Sequence, residues 1–99
     1  MELENGYEMK TTFWMDFTIA DKYGIEAIRD TYTRAFDEWK KSIEYMTELA
    51  IVLNHKVWQW FEKSEYVARV YNDLWEEIDS YICENFTDEE LSYYFRITD

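Results

Sequence analysis

Few side chains in this sequence have the chemistry of a nucleophile, a general base or a metal ligand. His55 is the only histidine and Cys83 the only cysteine, and two glycines cannot build a glycine-rich phosphate loop. His55 has no partner at a metal-ligand spacing, and the neighbouring Glu84 disfavours the thiolate of Cys83. We therefore predict a protein that is not an enzyme and has no catalytic residues, no metal and no cofactor. We expect Cys83 to pack in the core and His55 to lie in helix packing or at the surface.

Carboxylates are abundant, and their distribution along the chain is uneven. The formal net charge is −12 at pH 7. Residues 1–9 contribute −3, residues 10–69 hold ten acids and nine bases, and residues 70–99 hold nine acids against one base, Arg96. Most of the negative charge therefore belongs to the last third of the chain. Adjacent carboxylates point apart on a helix, so the chemistry that they suggest is ionic recognition and not acid–base catalysis.

A predicted helix over residues 65–84 places several of these acids on one side. At 100° per residue, Asp73, Glu77 and Glu84 fall within about 40° of one another, with no base interleaved. We use the name acidic strip for this row and the acids that widen or continue it: Asp73, Glu76, Glu77, Asp79, Glu84, Asp88 and Glu89. Two interpretations stay open, a binding surface for a basic partner or a solvated face that keeps the protein soluble. The dipole of the last helix also explains Asp88 and Glu89.

The spacing of apolar residues predicts an all-α fold. The predicted helices lie at about 12–23, 25–41, 43–63, 65–84 and after residue 87. Gly24 is placed for a left-handed cap, and Thr87 with Glu90 forms a capping box. Because the turns are very short, we expect a compact antiparallel bundle of three long helices plus two short terminal helices. This single helical domain would span residues 10–99, behind a flexible leader of residues 1–9.

The third predicted helix is apolar nearly all round. Its main apolar stripe runs from Met46 to Trp60 and Phe61, and we expect this stripe to be buried. Ile51 and Trp58 lie seven residues apart, on the side opposite this stripe. Such a helix is either central in the fold or covered by a partner. Ile51 and Trp58 therefore form a candidate hydrophobic interface, for a homodimer or for another protein.

Composition also limits where the protein works and what it meets. One cysteine permits no internal disulfide, and no apolar run is long enough to span a bilayer. The first residues carry acids and no apolar run, so we expect that they are not a signal peptide. We expect a cytoplasmic protein with no membrane partner. Its charge repels nucleic-acid backbones, so we predict no direct nucleic-acid binding and a basic protein as partner.

Several runs of the sequence resemble short open reading frames carried by bacterial conjugative elements and phages. They are TTFWMDFTIADKYG, AFDEWK, YMTELAIVLNHKVWQW and ELSYYFRITD, and the resemblance covers residues 9–99. Some small acidic proteins of such elements are antirestriction or anti-CRISPR inhibitors, several of which mimic DNA. The resemblance thus implies an anti-defence role, without assigning a role to any residue.

Two hypotheses about function result. The first is an acidic nucleic-acid mimic that uses the acidic strip to inhibit a basic target, such as a host defence nuclease. The second is an accessory adaptor or regulatory protein of a mobile element. It would act through a hydrophobic homodimer or partner interface at Ile51 and Trp58.

Overall fold

The computed structural model describes residues 2–98, with side chains over residues 13–97, and this part of the chain is helical throughout apart from short turns. The helices are α1 (Glu2–Tyr23), α2 (Ile25–Trp39), α3 (Ile43–Phe61), α4 (Glu65–Asn85) and α5 (Asp88–Thr98). The predicted all-α fold class is confirmed. The antiparallel order of a three-helix bundle stays a prediction.

The first helix differs most from its prediction. α1 begins at Glu2 and has 22 residues, so the expectation of a short first helix starting near residue 12 is wrong. Its added turns include three Glu, one Leu, one Met and one Lys, which favour helices, and the single Gly6 costs only about 1 kcal/mol. Residues 2–9, expected to form a leader, belong to this helix, while the division of the chain into leader and domain stays a prediction.

The centre of the fold is α3, which contacts all four other helices. Its segment from Met46 to Leu53 is buried on nearly every side, with only Ile51 half-exposed. Of the two alternatives for a helix that is apolar nearly all round, a central place in the fold therefore applies to this segment. The other helices supply the rest of the core: Phe13, Phe17 and Ala20 of α1, Ile28, Tyr32 and Ala35 of α2, Val70, Tyr71, Leu74, Ile78 and Ile82 of α4, and Tyr94 of α5.

Short polar caps join the helices. Gly24 alone separates α1 from α2, with φ 106° and ψ −174°. The predicted left-handed cap is therefore not formed, because φ is positive but ψ lies outside the left-handed helical region. Ser42 Oγ accepts a hydrogen bond from the Tyr45 amide at 3.2 Å, and so fixes the start of α3. None of the helices in the described part of the chain is long and apolar enough to cross a membrane.

Candidate protein-binding surfaces

The packing of α4 decides which of its acids face outward. Leu74, Ile78 and Ile82 are buried against the rest of the bundle. Because these apolar residues occupy one side of the helix, the rest of its surface is left to solvent. The acids there are exposed, namely Asp73, Glu76, Glu77 and Glu84. Along the axis, Glu77 lies about 6 Å beyond Asp73, and Glu84 lies about 10.5 Å beyond Glu77.

No lysine or arginine of the described residues forms an ion pair with the acidic strip. The two ion pairs between described side chains are Lys56–Asp21 and Arg69–Glu65, each 2.8 Å long. Arg69 is on α4, but it reaches back one turn to Glu65, away from the strip. Within the strip, the amide of Asn72 donates a hydrogen bond to Glu76 at 3.3 Å. Among the described side chains, therefore, no ion pair neutralises the charge of the strip.

Asp79 differs from the other members of the acidic strip. It is half-buried, and its carboxylate accepts a hydrogen bond from the Tyr94 hydroxyl on α5. Burial, this hydrogen bond and the charge of Asp79 together raise the pKa of Tyr94. Glu77 instead adds to the raised pKa of the buried Tyr32 on α2. Asp79 and Glu77 thus lie on different flanks of α4, and the carboxylate of Asp79 holds α5 in place.

The acids of α5 belong to its first turn. Asp88 and Glu89 are exposed, where the positive end of the helix dipole favours carboxylates. Glu90 Oε1 accepts a hydrogen bond from the Thr87 amide at 2.9 Å, and Thr87 Oγ1 accepts one from the Glu90 amide at 3.3 Å. The predicted capping box is confirmed. Helix stability therefore accounts for these positions without excluding a partner at Asp88 and Glu89.

A second surface lies at the end of α3. The Trp58 and Phe61 side chains are 69% and 58% exposed, with ring centroids 6.0 Å apart in an edge-to-face arrangement. Ile51 is half-buried. Sequence periodicity placed Phe61 in the buried stripe, and this expectation is wrong because α3 ends there, beyond the helices that cover its middle. The exposed apolar surface at this end of α3 therefore includes Phe61 beside the predicted Trp58.

A buried polar cluster is a feature that sequence reasoning missed. The ammonium of Lys56 lies 2.8 Å from Asp21 Oδ2, and its side chain is 1% exposed. The Tyr71 hydroxyl donates to the other oxygen of Asp21 at 2.5 Å, and the Trp14 ring lies 5.1 Å from the ammonium. Lys56 lies four residues after Val52 and three after Leu53, both in the core, and this helical spacing was the signal in the sequence that Lys56 is buried. These contacts pin α1, α3 and α4 together.

His55 and Cys83 do not belong to a metal-binding cluster in the part of the chain that the structure describes. Among the described residues, no three His, Cys, Asp or Glu side chains are grouped to hold a metal ion. His55 is exposed, and its ring packs 5.7 Å from that of Trp14. Cys83 is exposed, so the expected core position is wrong. Partial burial, then Asp79 and Glu84, raise the pKa of its thiol.

Comparison with known proteins adds no assignment to this geometry. No protein-family model, no curated protein and no solved structure matches the chain. The function must therefore be argued from the two surfaces themselves.

Proposed function

We propose that this protein is a non-enzymatic binding protein that mimics nucleic acid and so inhibits a basic, nucleic-acid-binding target. A host defence nuclease is the kind of target meant, which would make the protein an anti-CRISPR or antirestriction inhibitor. One observation supports this most: Asp73, Glu77 and Glu84 form an exposed row on α4 without a basic partner among the described residues.

The spacing of this row suits a cleft that binds phosphates. Its carboxylates recur at intervals of about 6 and 10.5 Å along a rigid helix. Duplex DNA presents a phosphate every 3.4 Å or so along each strand. The carboxylates of the row are therefore more widely spaced than the phosphates of a DNA strand. They would contact some, but not all, of the lysines and arginines in such a cleft. Glu76 beside the row, and Asp88 and Glu89 on α5, add to its negative field.

The energetics favour a functional reason for this arrangement. Like charges four residues apart, such as Asp73 and Glu77, destabilise a helix by a few tenths of a kcal/mol. The row has no ion pair with any described side chain, although α4 does form the pair Arg69–Glu65 at its first turn. A basic partner would neutralise the row and would associate faster at low salt.

The test is a variant that neutralises the row without changing its shape, Asp73→Asn/Glu77→Gln/Glu84→Gln. A panel of restriction enzymes and RNA-guided nucleases would be titrated with the protein. Competition with bound nucleic acid would be measured across salt concentrations. We expect the natural sequence to displace nucleic acid from one of them. The variant should lose about tenfold in affinity or more, and its salt dependence should be shallower.

A matched control separates the row from total charge. Glu26→Gln/Asp37→Asn/Glu44→Gln removes three exposed acids from α2 and α3, so both variants carry the same net charge. The control should bind like the natural protein. Equal affinity for both variants, or no displacement from any nuclease tested, would contradict the proposal.

The second candidate function is an adaptor or regulatory protein that acts through a hydrophobic interface. It is favoured by the exposure of Trp58 and Phe61, because exposed aromatic residues often anchor protein interfaces. If this surface forms a homodimer, light scattering will show a dimer that Trp58→Ser converts to a monomer. Tyr66→Ser, at a tyrosine that is 67% exposed, is the matched control. A monomer at all concentrations would count against self-association.

A further inference from the structure

A groove between α1 and α2 shares no lining residue with either proposed surface. It has a volume of about 560 Å³. Its lining includes the rings of Phe13 and Trp39 and a set of small residues, Ala20 from α1 and Ala27, Thr31 and Ala35 from α2. The three on α2 are spaced four residues apart, so they form one line along the helix. A line of small side chains leaves room for large side chains from outside to enter.

The α1 wall of the groove is apolar and uncovered by the described chain. Ile19 is 52% exposed and Tyr23 is 78% exposed, and both line the groove. Met15, one turn before Ile19, is 59% exposed and lengthens the same side of α1. Three large apolar side chains at a spacing of four residues form a continuous stripe, and such stripes usually contact a partner.

The rim of the groove is acidic. Asp16, Asp30 and Glu38 line it together with one base, Arg34, and all four are exposed. Arg34 forms no ion pair with any described residue. Three acids against one base give a rim charge of −2, which attracts a cation and repels an anion. A second copy of this chain, with a net charge of −12, is therefore a poor occupant.

The length of the groove suits a helix. Ala27 to Ala35 spans about 12 Å, a little over two helical turns. Helical segments bind grooves between two helices through apolar residues at i, i+4 and i+7. We infer that the groove between α1 and α2 docks an amphipathic helix of a partner protein, with lysine or arginine beside its apolar stripe. This docking needs no contribution from the acidic strip.

The test uses a fluorescein-labelled helical peptide of about 18 residues, with a leucine stripe flanked by lysines. A companion peptide has the same leucines with glutamate in place of every lysine. Fluorescence anisotropy would measure both against the full chain. We expect saturable binding of the lysine peptide, and affinity for the glutamate peptide that is lower by about tenfold or more.

Variants assign the binding to the groove. Ile19→Ser should weaken the lysine peptide about fivefold or more, whereas Ile97→Ser, at an exposed isoleucine of α5, should not. Asp30→Asn/Glu38→Gln should weaken it several-fold and reduce its salt dependence. Asp73→Asn/Glu84→Gln, which alters the acidic strip, should leave it unchanged.

Three results would overturn this inference. The first is no saturable binding of the lysine peptide. The second is a loss of binding in the acidic-strip variant that equals the loss in the groove variants. The third is a dimer of the natural protein that Ile19→Ser dissociates, since a second copy would then be the occupant. None of these results depends on whether a nuclease is inhibited.

Discussion

The ammonium of Lys56 lies 2.8 Å from Asp21 Oδ2, an ion pair between residues 35 positions apart in the chain. Lys56 is 1% exposed on α3, and Asp21 is 13% exposed on α1. Tyr71 of α4 donates a hydrogen bond to the same carboxylate. The pair therefore fixes how three helices pack, and it is polar where the sequence alone would place an apolar contact.

Removing the cation from this pair should destabilise the protein strongly. Lys56→Ala leaves Asp21 without its counter-charge in a largely buried place, and such losses cost about 3–5 kcal/mol. Urea unfolding followed by circular dichroism measures the change. The double variant Lys56→Met/Asp21→Asn, which buries no charge, should lose less than Lys56→Ala alone. Lys63→Ala, at an exposed lysine, is the control, and a loss below about 1 kcal/mol for Lys56→Ala would contradict the expectation.

An ordinary side chain at Gly24 should destabilise the protein, although space is available for one. A Cβ at this position would meet nothing within 4 Å, so the cost is conformational alone. Its φ of 106° and ψ of −174° lie in a region that essentially only glycine occupies. We expect Gly24→Ala to lower the free energy of unfolding by about 1–3 kcal/mol.

A synthetic chain with D-alanine at position 24 is the sharp control for that prediction. Its preferred dihedral angles mirror those of L-alanine, so the observed conformation falls in its extended region. Thermal unfolding should show D-alanine as stable as glycine, or slightly more so. Equal destabilisation by both alanines would mean that contacts, and not the backbone, set the cost.

Stability should fall steeply at alkaline pH because three buried tyrosines resist ionisation. Burial raises the pKa of Tyr32, Tyr71 and Tyr94, with carboxylates as further causes. The folded pKa values exceed the unfolded value near 10, so stability is complete below about pH 10 and is lost as the pH rises above it. Each tyrosine contributes about 1.4 kcal/mol per pH unit in that range. Circular dichroism with the absorbance of tyrosinate would follow the transition.

Single phenylalanine variants distinguish the contributions of these tyrosines. Tyr71→Phe should reduce the alkaline slope and cost about 1 kcal/mol at neutral pH, because it loses the hydrogen bond to Asp21. The buried hydroxyl of Tyr32 has no hydrogen-bond partner among the described residues. Tyr32→Phe should therefore leave the free energy of unfolding at neutral pH unchanged or increase it. An unchanged slope in both variants would show that other groups govern alkaline unfolding.

Cys83 should react slowly with thiol reagents despite its exposure. Partial burial, Asp79 and Glu84 raise the pKa of its thiol, and only the thiolate reacts. At about pH 8, alkylation by iodoacetamide should be slower in the folded protein than in the urea-unfolded chain. Glu84→Gln should speed the folded reaction about twofold, and the distant Glu62→Gln should not. Equal rates for folded and unfolded chains would remove the electrostatic explanation.

Local patterns determined the helices and their caps. The apolar period of 3.6 residues predicted α2, α3 and α4 to within about two residues, because burying one side of a helix requires that spacing. The Thr87–Glu90 capping box was readable for a similar reason, since its hydrogen bonds span three residues. The sequence also showed that the acids concentrate in its last third. It did not show that α1 extends back to Glu2, where helix propensity outweighs one glycine.

The tertiary structure decided what each side chain meets. Lys56 is buried and Phe61 and Cys83 are exposed, against the expectation from residue type or helical spacing, because burial depends on which distant helix covers a position. Asp79 belongs to the acidic strip by sequence, yet its carboxylate accepts a hydrogen bond from the Tyr94 hydroxyl of α5. The groove between α1 and α2 likewise exists only where two helices meet. Helical periodicity is a local property of the backbone, whereas burial, ion pairing and grooves arise from residues that are far apart in the chain.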